Sequence, residues 1–164
     1  MADVSIEIVS ADYKNPQHAK DLVYLLNAYA LDPMGGGAPL TGHVQNTLVD
    51  ELARRSFAIS LLAYVDGKPA GLLNAFEGFS TFAAKPLLNV HDIVVVQEFR
   101  GLQLSQQLLA ALERIARERG CCKITLEVLS GNETAKRAYL KFGFAGYELK
   151  PEAGQALFWQ KKLV

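Results

Sequence analysis

A β-forming run from Leu88 to Val96 passes into the most strongly periodic helical segment of the chain, and another β-rich run, Cys122 to Leu129, follows it. Alternation fades after Ile93, as in a strand covered on both faces. In the helical segment Leu102, Ser105, Leu108, Leu109, Leu112, Ile115 and Ala116 repeat at three and four. Glu113, Arg114, Arg117, Glu118 and Arg119 form its wet face, and Gly120 stands where a C-terminal cap belongs. A strand, a helix and a strand in succession call for parallel neighbours in one sheet. The passage then repeats. Ser130-Gly131-Asn132-Glu133 has the Ser-x-x-Glu form of a capping box, opens a helix to about Phe142, and Gly143 ends it before a further strand.

The first half reads differently. Ser5 to Ser10 is a first strand, and Ala19, Leu22, Val23, Leu25, Leu26 and Ala30 mark a helix from His18 to Leu31. A breaker cluster, Asp32 to Pro39, reads as a functional or mobile loop; its three glycines lack the Lys-Ser/Thr of a phosphate-binding P-loop. A second helix covers Val44 to Arg55. Phe57 to Val65 and Pro69 to Phe76 form a hairpin about Asp66-Gly67. Phe144 to Leu149 and Ala156 to Leu163 read as two last strands. The expected fold class is therefore α/β (mixed): a central mixed sheet of about six to seven strands flanked by about four helices, in a single domain over residues 4–164.

Composition removes several functions. Of 164 residues half are hydrophobic, and 17 Lys+Arg balance 17 Asp+Glu to a net charge of zero. A nucleic-acid binder draws its affinity from neutralising phosphates, and a polybasic membrane binder from a similar excess, so neither is expected. No apolar run reaches the roughly 18 residues of a membrane span, and Met-Ala-Asp-Val-Ser-Ile-Glu-Ile is not a signal peptide. The two cysteines, Cys121 and Cys122, are adjacent; this predicts no long-range disulfide, no metal site of the zinc type and a reduced, cytoplasmic setting.

Two stretches carry the chemistry. Val96 to Ser105 joins a central strand to the periodic helix, where free N–H groups and the helix dipole converge on a spot suited to phosphate or pyrophosphate. Arg100 adds charge and Gly101 allows close approach; a plain turn with a solvated arginine accounts for these residues equally well. Asn132, Ala135, Tyr139 and Phe142 share one helix stripe. On the residues alone, Asn132 is also readable as a cap and Tyr139 as a core aromatic.

Together these stretches resemble a family. Arg100-Gly101-Leu102-Gln103-Leu104-Ser105, with Glu98-Phe99 before it and Leu108-Leu109 after, is similar to the acetyl-CoA pyrophosphate loop of the GNAT N-acetyltransferases, Arg/Gln-x-x-Gly-x-Gly/Ala. Asn132 through Ala135 and Tyr139 to Gly143-Phe144 resembles the motif Asn-x-x-Ala-x-x-x-Tyr-x-x-x-Gly-Phe that follows it in the family. Gln103 departs from the pattern by standing where the first Gly belongs, and Ser105 by replacing the second Gly/Ala. A loop already helical at Gln103 loses little by this, and that is the expectation here.

The resemblance implies direct acetyl transfer from acetyl-CoA to a primary amine, that of a small polyamine-like molecule or of a peptide, with no metal. Arg100 to Ser105 and Asn132 with Ala135 would hold the cofactor, the backbone of Ile93, Val94, Val95 and Val96 would serve the thioester, and Tyr139, also against the cofactor, would be the general acid. Phe79-Ser80-Thr81 through Lys85-Pro86 to His91-Asp92 further resembles the diamine (spermidine/spermine and thialysine) acetyltransferase branch, with His91 where those enzymes carry Glu. An amine must shed a proton before it attacks, so a base is needed; the candidates, in order, are His91, Glu77 and Asp92. Strand alternation predicts that His91 and Asp92 do not both face the cleft. The Asp32–Pro39 loop would shape the acceptor pocket, and a homodimer is an assembly the resemblance allows. A non-catalytic acyl-CoA-binding or regulatory module is the alternative; Gln103 and His91 favour it, Asn132 and Tyr139 favour the enzyme.

Overall fold

The computed structural model describes residues 3–163. Met1 and Ala2, at the head of the stretch read above for a signal peptide, and Val164, the last residue of the expected domain, lie outside the described residues. The chain clusters into two compact units, Met1–Leu126 and Glu127–Val164.

The first unit contains β1 (Ile6–Ser10), α1 (Pro16–Leu31), α2 (Gly42–Ala53), β2 (Ala58–Val65), β3 (Lys68–Ser80), β4 (Lys85–Val95), α3 (Leu104–Glu118) and β5 (Ile124–Leu126). The strands form one sheet in the order β1-β2-β3-β4-β5, antiparallel up to β4 and parallel between β4 and β5. The β4–α3–β5 passage thus returns parallel, as the sequence requires. Asp66 and Gly67 have φ of 49° and 77°, the two positive values of a tight hairpin whose twist matches its strands. Gly120, at φ 71°, ends α3, and the Cys121 N–H closes the end by donating to the Ala116 carbonyl at 2.9 Å.

Helices cover both faces of the sheet. On one face Leu62 and Leu72 pack with Leu22 and Leu25 of α1 and Leu52 of α2. On the other lies α3; Gly71 admits Leu108 so closely that a Cβ there would stand 3.2 Å from the leucine Cδ1. The α1 face also holds a buried carboxylate. Asp21, only 5% exposed, accepts from Tyr64 Oη at 2.7 Å and from Gln17 Nε2 at 2.9 Å. Buried polar groups persist only when paired, and these two donors offset the desolvation of Asp21.

Several expectations are corrected. Among the described residues the sheet has five strands: Phe144–Leu149 and Ala156–Leu163 are not strands, and the second unit, with α4 (Glu133–Phe142), holds in their place an isolated bridge between Glu148 and Gln155, beside which the Ala156 N–H donates to the Tyr147 carbonyl at 3.1 Å. An alternating pattern becomes a strand only where a ladder partner exists along its length. In the other direction, β3 and β4 extend to a Ser80–Lys85 pair, because laddered hydrogen bonds override the poor strand propensity of Gly78 and Pro86. The cap of α4 is Asn132, whose Oδ1 accepts from the Ala135 N–H at 3.2 Å, rather than Ser130. No helix among the described residues is long and apolar enough to cross a membrane.

Removing the Tyr64 hydroxyl leaves Asp21 short of a donor in the core. Tyr64→Phe is expected to lower the unfolding free energy by about 1–3 kcal/mol in urea denaturation; an unchanged midpoint would show that water replaces the phenol at no cost.

Candidate active site

The pairing of β3 with β4 slips by one residue between Asn74 and Ala75: Asn74 stands opposite Asp92 and Ala75 opposite Val90, so His91 is an extra residue, a β-bulge. The bulge corrects the alternation expected of His91 and Asp92. Asp92 accepts from Asn74 Nδ2 at 3.1 Å, and the His91 ring stands edge-on to Phe76 at 5.1 Å. Asn74 and Phe76 are two apart on the unbroken strand β3 and therefore share a face. His91 and Asp92 both lie on the α1 side.

The bulge precedes a free edge. β5 pairs with β4 only from Leu88 to Val90, and no other strand pairs with that edge of β4 among the described residues. The Val96 N–H donates to the Ala70 carbonyl of β3. Strand residues point their amides alternately to either side, so the N–H and C=O groups of Ile93 and Val95 face the open edge, while those of Val94 face β3. Arg100 Nε reaches the Val95 carbonyl at 3.4 Å.

The edge leads to the turn before α3. Its first turn receives no side-chain cap, in contrast to α1, α2 and α4, capped by Asn15, Thr41 and Asn132. Gly101 has φ 91° and Gln103 φ 60°. Left-handed residues placed so gather backbone N–H groups into an anion-binding concavity, here at the positive end of a helix. A Cβ on Gly101 would meet nothing within 4 Å, so its surroundings are open. Leu102 and Ser105 are half-buried and Leu104 is buried. Besides its long bond to the Val95 carbonyl, Arg100 forms a 3.8 Å ion pair with Asp32, and with its side chain 59% exposed, swinging it to a phosphate costs little. These groups fit a diphosphate.

The other end of the site is acidic. Burial is the largest cause lifting the Tyr29 phenol above its usual range, followed by the charges of Asp92 and Asp32. One phenol on α1 thus senses a carboxylate from β4 and another from the loop after α1. Burial also raises the Asp92 carboxyl, against the opposing effects of the Asn74 bond and of His91. His91 is held by Asn89: Asn89 Nδ2 donates to Thr125 Oγ1 at 2.9 Å, which turns Asn89 Oδ1 toward His91 Nδ1 at 3.1 Å. Nδ1 therefore carries the proton in the neutral ring and Nε2 is left as the acceptor.

Glu77 is set apart from this pair. It is odd-numbered with Gly71 and Leu73 on this stretch of β3, on the α3 face, and Arg119, the residue that caps the end of α3, donates to its Oε1 at 3.0 Å. In the second unit Asn132 caps α4, and Ala135 and Tyr139 lie along the same stripe; the Tyr139 ring stands at 6.0 Å and near-perpendicular to Phe144. Sequence reading overlooked Tyr29, Ser60, Asn74 and Asn89. The available signal was a single polar residue inside an apolar strand run, as in Ala-Ile-Ser-Leu-Leu and Leu-Leu-Asn-Ala-Phe.

The expected harmless place for Gln103 is also corrected, since it precedes the helix and takes the left-handed conformation that the family's glycine would take freely. That conformation costs a residue with a Cβ about 1–2 kcal/mol, part of which glycine gives back as unfolded-state entropy. Gln103→Gly is expected to raise the unfolding free energy by roughly 0.5–1 kcal/mol in urea denaturation. A destabilised variant would mean that the glutamine side chain more than repays the strain.

Known proteins resemble this chain in sequence and in fold. The acetyltransferase (GNAT) family model matches residues 10–144. Thialysine N-epsilon-acetyltransferase of Caenorhabditis elegans is 24% identical over 136 residues, covering 82% of this chain and 80% of that protein. An aminoglycoside N-acetyltransferase solved in complex with CoA superposes with a TM-score of 0.76 at 19% identity, over 99% of this chain and 98% of the other. The ribosomal-protein-alanine N-acetyltransferase of Brucella melitensis biovar Abortus 2308 gives 0.70 at 19% identity, over 98% of each chain. With the family model covering most of the chain and the mixed sheet, bulge and uncapped helix in place, the chain belongs to the GNAT family of acetyltransferases.

Proposed function

We propose that this chain acetylates the primary amine of a small cationic molecule or a peptide by direct attack, with acetyl-CoA as co-substrate and Asp92 as the base. Acetyl-CoA, when bound, supplies an activated acetyl group and a thiol leaving group. The backbone from Gly101 to Ser105 holds the diphosphate, with Arg100 redirected to it from Asp32. The edge amides of Ile93 and Val95 are donors for the thioester carbonyl. Asn132 and Ala135 receive the pantetheine arm, and Tyr139 Oη gives a proton to the departing sulfur; their support is the match to the family's motif.

The observation that carries the reading is the bulge at His91, which turns two basic groups to one face beside an unpaired strand edge. Asp92 is preferred over His91 because burial raises its affinity for a proton while Asn74 fixes its carboxylate. A cationic acceptor suits the site, since Asp92, Asp32 and the phenol of Tyr29 gather at its acidic end. The likeness to thialysine N-epsilon-acetyltransferase supports the same class of acceptor.

Thermal shift with acetyl-CoA followed by thiol release over a panel of diamines, amino acids and peptides tests the proposal. Stabilisation with turnover on a primary amine is expected; stabilisation with no turnover on any amine returns the binding-module alternative. Asp92→Asn separates chemistry from folding. Because the folded chain binds the Asp92 proton more tightly than the unfolded chain does, stability is lost as pH rises above the ordinary carboxylate range, and the loss persists at neutral pH. The variant should therefore lose about 10²–10⁴-fold in turnover yet unfold at a higher temperature at pH 7, an advantage that fades below about pH 4. Full turnover would remove Asp92 from the base role.

A further inference from the structure

A polar row crosses the sheet face beneath α1. Ser60 of β2 pairs in register with Asn74 of β3, and Asn74 with Asp92 of β4. Ser60 and Asn74 are each only 3% exposed. Apolar residues fill such positions elsewhere on this sheet, at Leu62 and Leu72, without any need for partners. Here every side chain is bonded: Asn74 Nδ2 to Asp92 Oδ2 at 3.1 Å, Ser60 Oγ to Asn74 Oδ1 at 2.6 Å, and Tyr13 Oη to Ser60 Oγ at 2.9 Å. The chemistry fixes the direction. The Asn74 amide donates to the carboxylate, which leaves its carbonyl to accept from Ser60; Ser60, its proton committed, must accept from Tyr13.

We propose that Tyr13, Ser60 and Asn74 are positioning residues, a one-way row of donors that holds the Asp92 carboxylate ionised and aimed at the acceptor amine. The inference rests on Asp92 as the base. Donors that polarise one another strengthen the last bond in the row, and that bond falls on the charged form. Other groups act on the same ends. His91 on β4 and Tyr29 on α1 neighbour Asp92, with Asp32 also acting on Tyr29. At the far end Tyr13 lines a cleft between α1 and α2 that Lys20 and Asp50 share.

The test follows Asp92 directly in the full chain with 13C-labelled aspartate, by NMR titration, assigned through Asp92→Asn, alongside the pH profile of kcat/KM. Ser60→Ala is expected to raise the Asp92 midpoint by roughly half to one pH unit and the acid limb of kcat/KM with it. Tyr13→Phe, which removes one half-buried oxygen, should give a smaller rise in the same direction, and Ser60→Thr, which keeps the hydroxyl, should restore the original midpoint. A midpoint that stays or falls in folded Tyr13→Phe and Ser60→Ala overturns the inference. The two failures are separable: if Asp92→Asn retains turnover, the base assignment falls on its own, whereas a silent Asp92→Asn with unmoved midpoints in the row variants leaves Asp92 as the base without its row.

Discussion

The site depends on the antiparallel ladder between β3 and β4 and on the one residue which that ladder does not accommodate. Without the extra residue at His91, alternation would send His91 and Asp92 to opposite faces of the sheet, one toward α1 and one toward α3. With it, both lie on the α1 side, and the strand continues past β5 with the amides of Ile93 and Val95 facing an open edge. One irregularity thus puts His91 and Asp92 on one face, beside a row of backbone amides that the short β5 leaves unpaired. The turn before α3 extends the same line, since β4 passes into it through a single short helical turn at Gln97–Phe99.

The economics of the core agree with this. A sheet buried on both faces is most cheaply filled with aliphatic side chains, and the α3 face follows that rule with Leu61, Ala63 and Leu73. The α1 face departs from it twice. Asp21 with Tyr64 and Gln17 is a closed group whose bonds all end on one carboxylate within the core. The Tyr13–Ser60–Asn74–Asp92 row instead runs out to the bulge. Strain is spent in the same neighbourhood: Gln103 holds a left-handed backbone at the turn that would carry the diphosphate.

Much of this was legible in the residues, for physical reasons that differ by element. The periodic face of α3 and the Asp66-Gly67 turn are local signals, and local signals survive folding. The parallel return to β5 follows from chain connectivity. The bulge was not legible, because register depends on the partner strand, and nothing in Val-His-Asp-Ile announces an unpaired residue. For the same reason the residues alone rank Glu77 ahead of Asp92, whereas β3 puts Glu77 on the α3 face beside Arg119. The row through Ser60 and Asn74 needs three strands in register before it exists. The last two segments failed in the opposite sense, with β-like patterns that find one bridge and no ladder.

The proposed reaction requires the open edge of β4 and the turn before α3 to act as one continuous set of backbone donors for a thioester and its diphosphate. Amide chemical shifts of 15N-labelled protein, titrated with acetyl-CoA and, for comparison, with CoA, which lacks the thioester carbonyl, test this requirement. With acetyl-CoA, Ile93, Val95 and the amides from Gly101 to Ser105 are expected to shift together and saturate at one concentration. Binding that leaves these amides unmoved while others respond would contradict it.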